Sequence, residues 1–323
     1  MRPLSILDRS LVRQGQSPAA ALRDTVRFAR RAEELGYHRF WVSEHHSVPG
    51  VAGSAPTVLA AAVAAATSRI RVGTGGVMLP NHRPMVVAEQ FGVLESLYPG
   101  RVDMGLGRSV AFTGGIRKAL GHGREAADGF PAQVAELLGF FTGDQDAYPG
   151  VHALPAEGLR PQVFVLAMRS GADLAAALGL PLVIGGAAPA EAAARYRAAF
   201  RPSDWAATPY VMVAANVTVG ETAERAALLQ LPEAWATARS RVRGAFPPLR
   251  PPGEILRMEL PERERALLEE ARKGQISGTG DEVAARLRDL VTTTGADEVL
   301  VTMNTYDLDD RLDSYRRLAA LAW

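Results

Sequence analysis

The run Gly36-Tyr37-His38-Arg39-Phe40-Trp41-Val42-Ser43-Glu44-His45-His46 decides the fold. Its centre, Arg39–Ser43, is a short β-rich run that ends in three polar side chains. A helix-patterned stretch precedes it from Pro18 to Leu35, with Ser17 as N-cap, Pro18 at the first position, and Ala21, Leu22, Val26, Ala29, Ala32 and Leu35 on one stripe. A second, alanine-rich helix follows from Ala55. Strand and helix thus alternate on both sides of the run, the pattern of βα units with a parallel sheet.

Working outward, the same rhythm recurs along the whole chain. Strands are expected at Leu4–Asp8, Arg39–Ser43, Ile70–Val77, Val102–Leu106, Val163–Leu166, Pro181–Ile184, Tyr210–Val219 and Glu298–Thr302, with further helices beginning near Pro84, Ser170, Pro189, Glu221, Gly280 and Leu308. Eight such units predict a (β/α)8 TIM barrel forming a single domain over residues 1–323. Two stretches exceed an ordinary barrel loop. Residues 109–162 follow the fourth strand and carry a helix near Asp128–Phe141, so they suit a substrate wall or lid. Residues 244–278 follow the seventh helix and hold Pro247-Pro248 and Pro251-Pro252 before a helix near Pro261–Lys273; lid, oligomer contact and mobile loop are equally open for them.

Composition removes several chemistries. The 323 residues contain no cysteine, which excludes disulfide frameworks, thiolate nucleophiles, cysteine zinc sites and Fe–S clusters. Thirty-six basic against 35 acidic residues give a net charge of +1, so no global field draws in nucleic acid or an anionic membrane surface. No run reaches the roughly 20 apolar residues of a bilayer span, and the first residues lack a signal-peptide pattern, so a cytoplasmic location is expected. Dinucleotide, P-loop, nucleophile-elbow and H-E-x-x-H motifs are all missing.

The candidate site residues fall at strand ends, where a barrel places its chemistry. His45 and His46 close the second strand. Alternating side chains would not normally bring Glu44, His45 and His46 onto one ion, so no metal is expected, and one of the two imidazoles is expected to cap the strand end. Gly73-Thr74-Gly75-Gly76-Val77-Met78 reads as a bulge, or a backbone surface bare enough for a flat ring to approach, or simple barrel curvature. Arg108, in Gly105-Leu106-Gly107-Arg108, suits phosphate or carboxylate capture. Arg169 and Ser170 open a helix whose free N–H groups would favour an anion, although Ser170 equally serves as a plain N-cap.

Taken in order, Ser5-Ile6-Leu7-Asp8, Trp41–His46, Val72–Pro80, Pro99-Gly100-Arg101-Val102, Gly105–Arg108 and Leu174–Pro181 resemble the bacterial-luciferase-like flavin-dependent monooxygenases. The resemblance covers nearly the whole chain and is densest over residues 35–110. It implies a two-component enzyme that takes reduced FMN from a separate flavin reductase and reacts it with O2. The flavin C4a-hydroperoxide would then oxygenate a bulky apolar or aromatic small molecule, by analogy one of polyketide type. It further implies His45 as catalytic base or donor, and Gly75-Gly76 as a cis-peptide bulge under the isoalloxazine. The phosphate site would comprise Arg108, Met168, Arg169, Ser170 and Gly171, and the chain would form a homodimer through helices near the second and third strands. The turn Leu166-Ala167-Met168 departs from the family pattern of glycine and paired serines, and Gly171 stands where a hydroxyl is common. Gly107 replaces the cysteine of light-emitting members, so luminescence is not implied. Two alternatives stay open: an F420-dependent oxidoreductase on the same fold, and a non-catalytic flavin-binding barrel.

Overall fold

The computed structural model describes residues 2–167, 171–186 and 188–323. Its strands are β1 (Leu4–Asp8), β2 (Arg39–Val42), β3 (Arg71–Thr74), β4 (Val77–Met78), β5 (Val102–Gly107), β6 (Gln162–Ala167), β7 (Leu182–Ile184), β8 (Val211–Ala215), β9 (Val217–Val219), β10 (Ile276–Gly278) and β11 (Glu298–Val301). Hydrogen bonding runs β3-β2-β1-β11-β8-β7-β6-β5-β4, and an additional β3–β5 pairing closes the ring. With β3 and β4 as two halves of one stave, this is a closed, parallel, eight-stave (β/α)8 barrel. The helices are α1 (Pro18–Glu34), α2 (Pro56–Ala66), α3 (Pro84–Leu97), α4 (Gly114–Ala119), α5 (Phe130–Thr142), α6 (Gly171–Ala177), α7 (Pro189–Ala199), α8 (Ala223–Arg243), α9 (Pro252–Leu256), α10 (Glu262–Lys273), α11 (Gly280–Thr294) and α12 (Leu308–Ala319).

Two of the expected strands are broken, each for a local reason. The third stops at Thr74 and resumes at Val77, because the Gly75–Gly76 peptide is cis. The seventh divides at Asn216; its second half, β9, leaves the barrel and pairs with β10 in a separate parallel ribbon. Within the 109–162 stretch, α5 packs against α3 and so helps to clothe the barrel. Within 244–278, α9 and α10 both pack on α8. The first helix is capped as its sequence requires, Ser17 Oγ accepting from the Ala20 N–H at 3.2 Å.

The interior divides by height. At the N-terminal end of the staves, Arg39 is buried between two carboxylates, with Nη1 at 2.8 Å from Asp103 and Nε at 3.1 Å from Glu298. Trp41 Nε1 donates to Asp103 at 2.9 Å, and the Tyr210 hydroxyl donates to Glu298 at 2.5 Å. Burial makes the guanidinium harder to keep charged, but the two carboxylates more than offset this and raise its pKa. The layer above is apolar, with Trp41 and Phe164 edge-to-face at 4.9 Å. Ionic plug below and apolar layer above leave only the C-terminal mouth open to a ligand.

Candidate active site

At that mouth the staves enclose a cavity of about 590 Å³, within the range of small-molecule sites. All eight staves contribute to its lining: Leu7 from β1, His45 just after β2, Gly75 and Gly76 between β3 and β4, Gly107 from β5, Leu166 from β6, Val183 from β7, Ala214 from β8 and Leu300 from β11. Arg108, Ser109, Val110, Phe112 and Ala127 add one side wall from the segment after β5. Residues 244–278 do not line it.

His45 is held from both backbone and side chain. Its N–H donates to Gly53 O at 2.8 Å, and Nδ1 lies 3.1 Å from Ser43 Oγ. Phe112, 60% exposed, stacks on the imidazole with ring centroids 6.3 Å apart. Burial lowers the ring's proton affinity, the nearby Arg9 guanidinium lowers it further, and Glu44 only partly opposes them; the pKa is pushed down to about 4. The imidazole is therefore neutral at physiological pH. Among the described residues Nε2 has no hydrogen-bond partner. His46 plays the capping part instead, donating from Nε2 to Glu44 at 2.7 Å.

Glu44 is buried, 3% exposed, and accepts from His46, from His82 Nε2 at 2.9 Å, from Asn81 Nδ2 at 3.1 Å and from the Met78 N–H at 2.8 Å. Burial alone would raise its pKa; the hydrogen bonds from His82, His46 and Met78 reverse this and hold it below the usual carboxylate value. These contacts are hydrogen bonds to one carboxylate, and among the described residues no cluster of three or more ligating side chains is placed to hold a metal.

The glycine reading divides. A Cβ on Gly105 would lie 2.0 Å from Thr74 O, and one on Gly76 would lie 2.8 Å from Gly105 O. Close approach of neighbouring staves therefore demands these two glycines. Their bare backbone, with Gly75 and Gly107, is also what the cavity meets on this side.

Arg108 is exposed at the rim and already engaged: Nε donates to Ala127 O at 3.0 Å, and Nη2 pairs with Asp128 at 3.0 Å. The structure thus brings His45, Gly75, Gly76 and Arg108 to one cavity. Gly171 begins α6, where a Cβ would meet that of Ala167 at 2.6 Å, and it does not line the cavity. Met168, Arg169 and Ser170 lie outside the described residues. Phe130, unlike Phe112, does not reach the cavity and is a core residue 1% exposed at the start of α5.

Sequence reasoning missed Arg9 and Glu233, the wall residues Val183 and Gly185, and the bonding role of Glu44. Arg9 follows β1 and pairs with Glu233 of α8, whose Oε2 also accepts from the Asn304 N–H at 2.9 Å. The only sequence signal for Arg9 was position after a strand end, which many residues share, and Glu233, inside α8, carried none.

Comparison with known proteins agrees with this geometry. A sequence profile of the luciferase-like monooxygenase family matches residues 4–298. A luciferase-like monooxygenase of Escherichia coli (strain K12) is 36% identical over 319 residues, spanning 96% of this chain and 94% of that protein. An uncharacterised protein of Bacillus subtilis (strain 168) is 40% identical over 321 residues, spanning 98% and 95%. The crystal structure of apo-MsnO8 superposes with a TM-score of 0.88 at 32% identity, covering 99% of this chain and 98% of that one. The chain belongs to the luciferase-like monooxygenase family and is an enzyme of that flavin-dependent class.

Proposed function

We propose that this chain is the oxygenating component of a two-component system, using reduced FMN supplied by a separate flavin reductase. In the overall reaction one atom of O2 enters a bulky apolar or aromatic small molecule, by analogy a polyketide-type secondary metabolite. The other atom leaves as water, and reduced FMN gives up two electrons and two protons. The observation that carries the reading is the convergence of a neutral imidazole, bare glycine backbone and a rim guanidinium on one apolar-walled cavity.

The residues present fit the group. Gly75, Gly76 and Gly107 expose backbone to the cavity, which lets a planar ring approach, and Leu7, Leu166, Val183 and Leu300 supply apolar wall. Arg108 suits the phosphate, with Asp128 as the anion it would exchange. When bound, reduced FMN would supply the activation of O2. His45, neutral and stacked by Phe112, would donate or accept a proton at Nε2 while Ser43 fixes its other nitrogen. Phe112 and Val110 would exclude water from that side.

Mixing the protein with reduced FMN in air-saturated buffer should slow or redirect flavin reoxidation relative to free flavin. Reoxidation at the free-flavin rate, with no FMN binding, would sink the reading. Binding of F420 in preference to FMN would replace it with a hydride-transfer reading. Replacing His45 with Ala should cost about 10²–10⁴-fold in oxygenation with flavin affinity little changed. A binding-only barrel would have no activity to lose. A homodimer belongs to the same reading, its faces being α2 and α3.

A further inference from the structure

Glu44 lies between the two pieces that the proposed flavin site requires. Along the chain it adjoins His45 at the end of β2. Through its side chain it reaches the segment that follows the Gly75–Gly76 link: Oε2 accepts from the Met78 N–H at 2.8 Å, and Oε1 accepts from Asn81 Nδ2 at 3.1 Å and His82 Nε2 at 2.9 Å. His46 Nε2 completes the set at 2.7 Å from the strand's own side. Four donors from two chain segments thus close on one carboxylate, 3% exposed.

The shape of the group matters as much as its charge. Glutamine would turn an NH2 toward at least one of the four donors and leave it unpaired. Aspartate would keep the charge but stop about 1.5 Å short, one carbon–carbon bond. A buried donor without its acceptor is costly, so the segment would have to move to find another. The segment that moves is the one leading out of Gly75–Gly76.

We propose that Glu44 is a positioning residue, which holds the Met78–His82 turn against the His45 turn and so sets the separation between the imidazole and the glycine backbone on which flavin would lie. This rests on the flavin reading above.

The test uses the full-length chain with Glu44→Gln and Glu44→Asp, read by amide hydrogen exchange of residues 75–84 without ligand and by titration with FMN. In both variants exchange within 75–84 should rise, and FMN affinity should fall, each by about tenfold or more, which is the loss of one buried hydrogen bond. Exchange in the remaining staves should stay unchanged. A uniform rise across the barrel would mark a merely structural residue and overturn the proposal. So would a Glu44→Asp variant that matches the unmodified protein, because charge without reach would then suffice. So would FMN affinity within twofold of the unmodified protein in both variants. If the unmodified chain itself binds no FMN, the flavin reading falls separately, and unchanged exchange at 75–84 in the variants would overturn the positioning role on its own. Should either variant fail to fold, His82→Leu removes one donor and leaves the carboxylate; unchanged exchange at 75–84 there would likewise overturn the proposal.

Discussion

His45 shows how a single side chain acquires its character from its surroundings, including a residue distant in sequence. Burial and the Arg9 guanidinium both disfavour the imidazolium, so its pKa falls to about 4 from an ordinary 6.5. Between those two values the unfolded chain binds a proton that the folded chain does not, so acidification from 6.5 towards 4 removes stability. An NMR titration of the labelled histidines should find one ring with a midpoint near 4, missing in His45→Asn; a midpoint at or above 6.5 would contradict the site as described. Oxygenation should correspondingly show no limb from His45 between about pH 5 and 8. Arg108 offers a second handle. Its partner Asp128 is exposed, and such a pair contributes about 0–1 kcal/mol. Asp128→Ala should therefore tighten FMN binding by no more than about fivefold, measured by flavin fluorescence, whereas Arg108→Ala should weaken it; weakening by both would remove Arg108 from the phosphate role. Position at a strand end made His45 and Arg108 legible in the sequence. The influence of Arg9 on the ring was not, because it depends on which residue α8 presents to it.

At the scale of elements, most strands and helices followed from alternation and apolar spacing, and the exceptions have local causes. Within Ile70–Val77 the glycine run signals a bulge and the family resemblance a cis link at Gly75–Gly76, but the apolar pattern alone does not distinguish a continuous strand from an interrupted one. Tyr210–Val219 likewise reads as one strand, yet Val217–Val219 finds its partner 59 residues on, in β10. Long-range pairing of this kind leaves no periodic trace. Helix α8 continues through Pro232, although a proline inside a helix removes one backbone hydrogen bond. The glycine contacts between β3 and β5 give the element-scale prediction. Gly105→Ala would place a methyl group 2.0 Å from Thr74 O. Relieving it means separating two staves, so a loss of about 1–3 kcal/mol or more is expected in urea unfolding. A variant as stable as the parent would show that the staves can part without cost.

For the whole molecule, eight βα units were enough to specify the barrel, because closure is the arrangement that leaves no stave edge unpaired. Its assembly was not readable in the same way. Val58 on α2 and Val86, Val93 and Leu97 on α3 remain exposed, at 69%, 46%, 48% and 64%. The three on α3 share one face by their spacing. Light scattering should give twice the 34.5 kDa chain mass. Val58→Asp combined with Leu97→Asp should halve the measured mass; a monomeric parent would remove the proposed homodimer. No helix among the described residues is long and apolar enough to cross a membrane.

The proline-rich loop after α8 has a consequence for traffic through the mouth. Phe246 O accepts from the Gly50 N–H at 2.9 Å, Gly50 O from the Val12 N–H at 2.9 Å, Val12 O from the Leu249 N–H at 2.9 Å, and Leu249 O from the Gln14 N–H at 2.8 Å. Three of these backbone bonds stitch it to the turns after β1 and β2, and the fourth, Val12 to Gly50, ties those two turns together, including the one that carries His45. That side is a fixed door jamb. The wall after β5 is held more lightly, with Phe112 exposed and Arg108 bonded only to Ala127 and Asp128 of the same segment. A ligand entering the mouth would then pass between one stitched edge and one more lightly bonded edge.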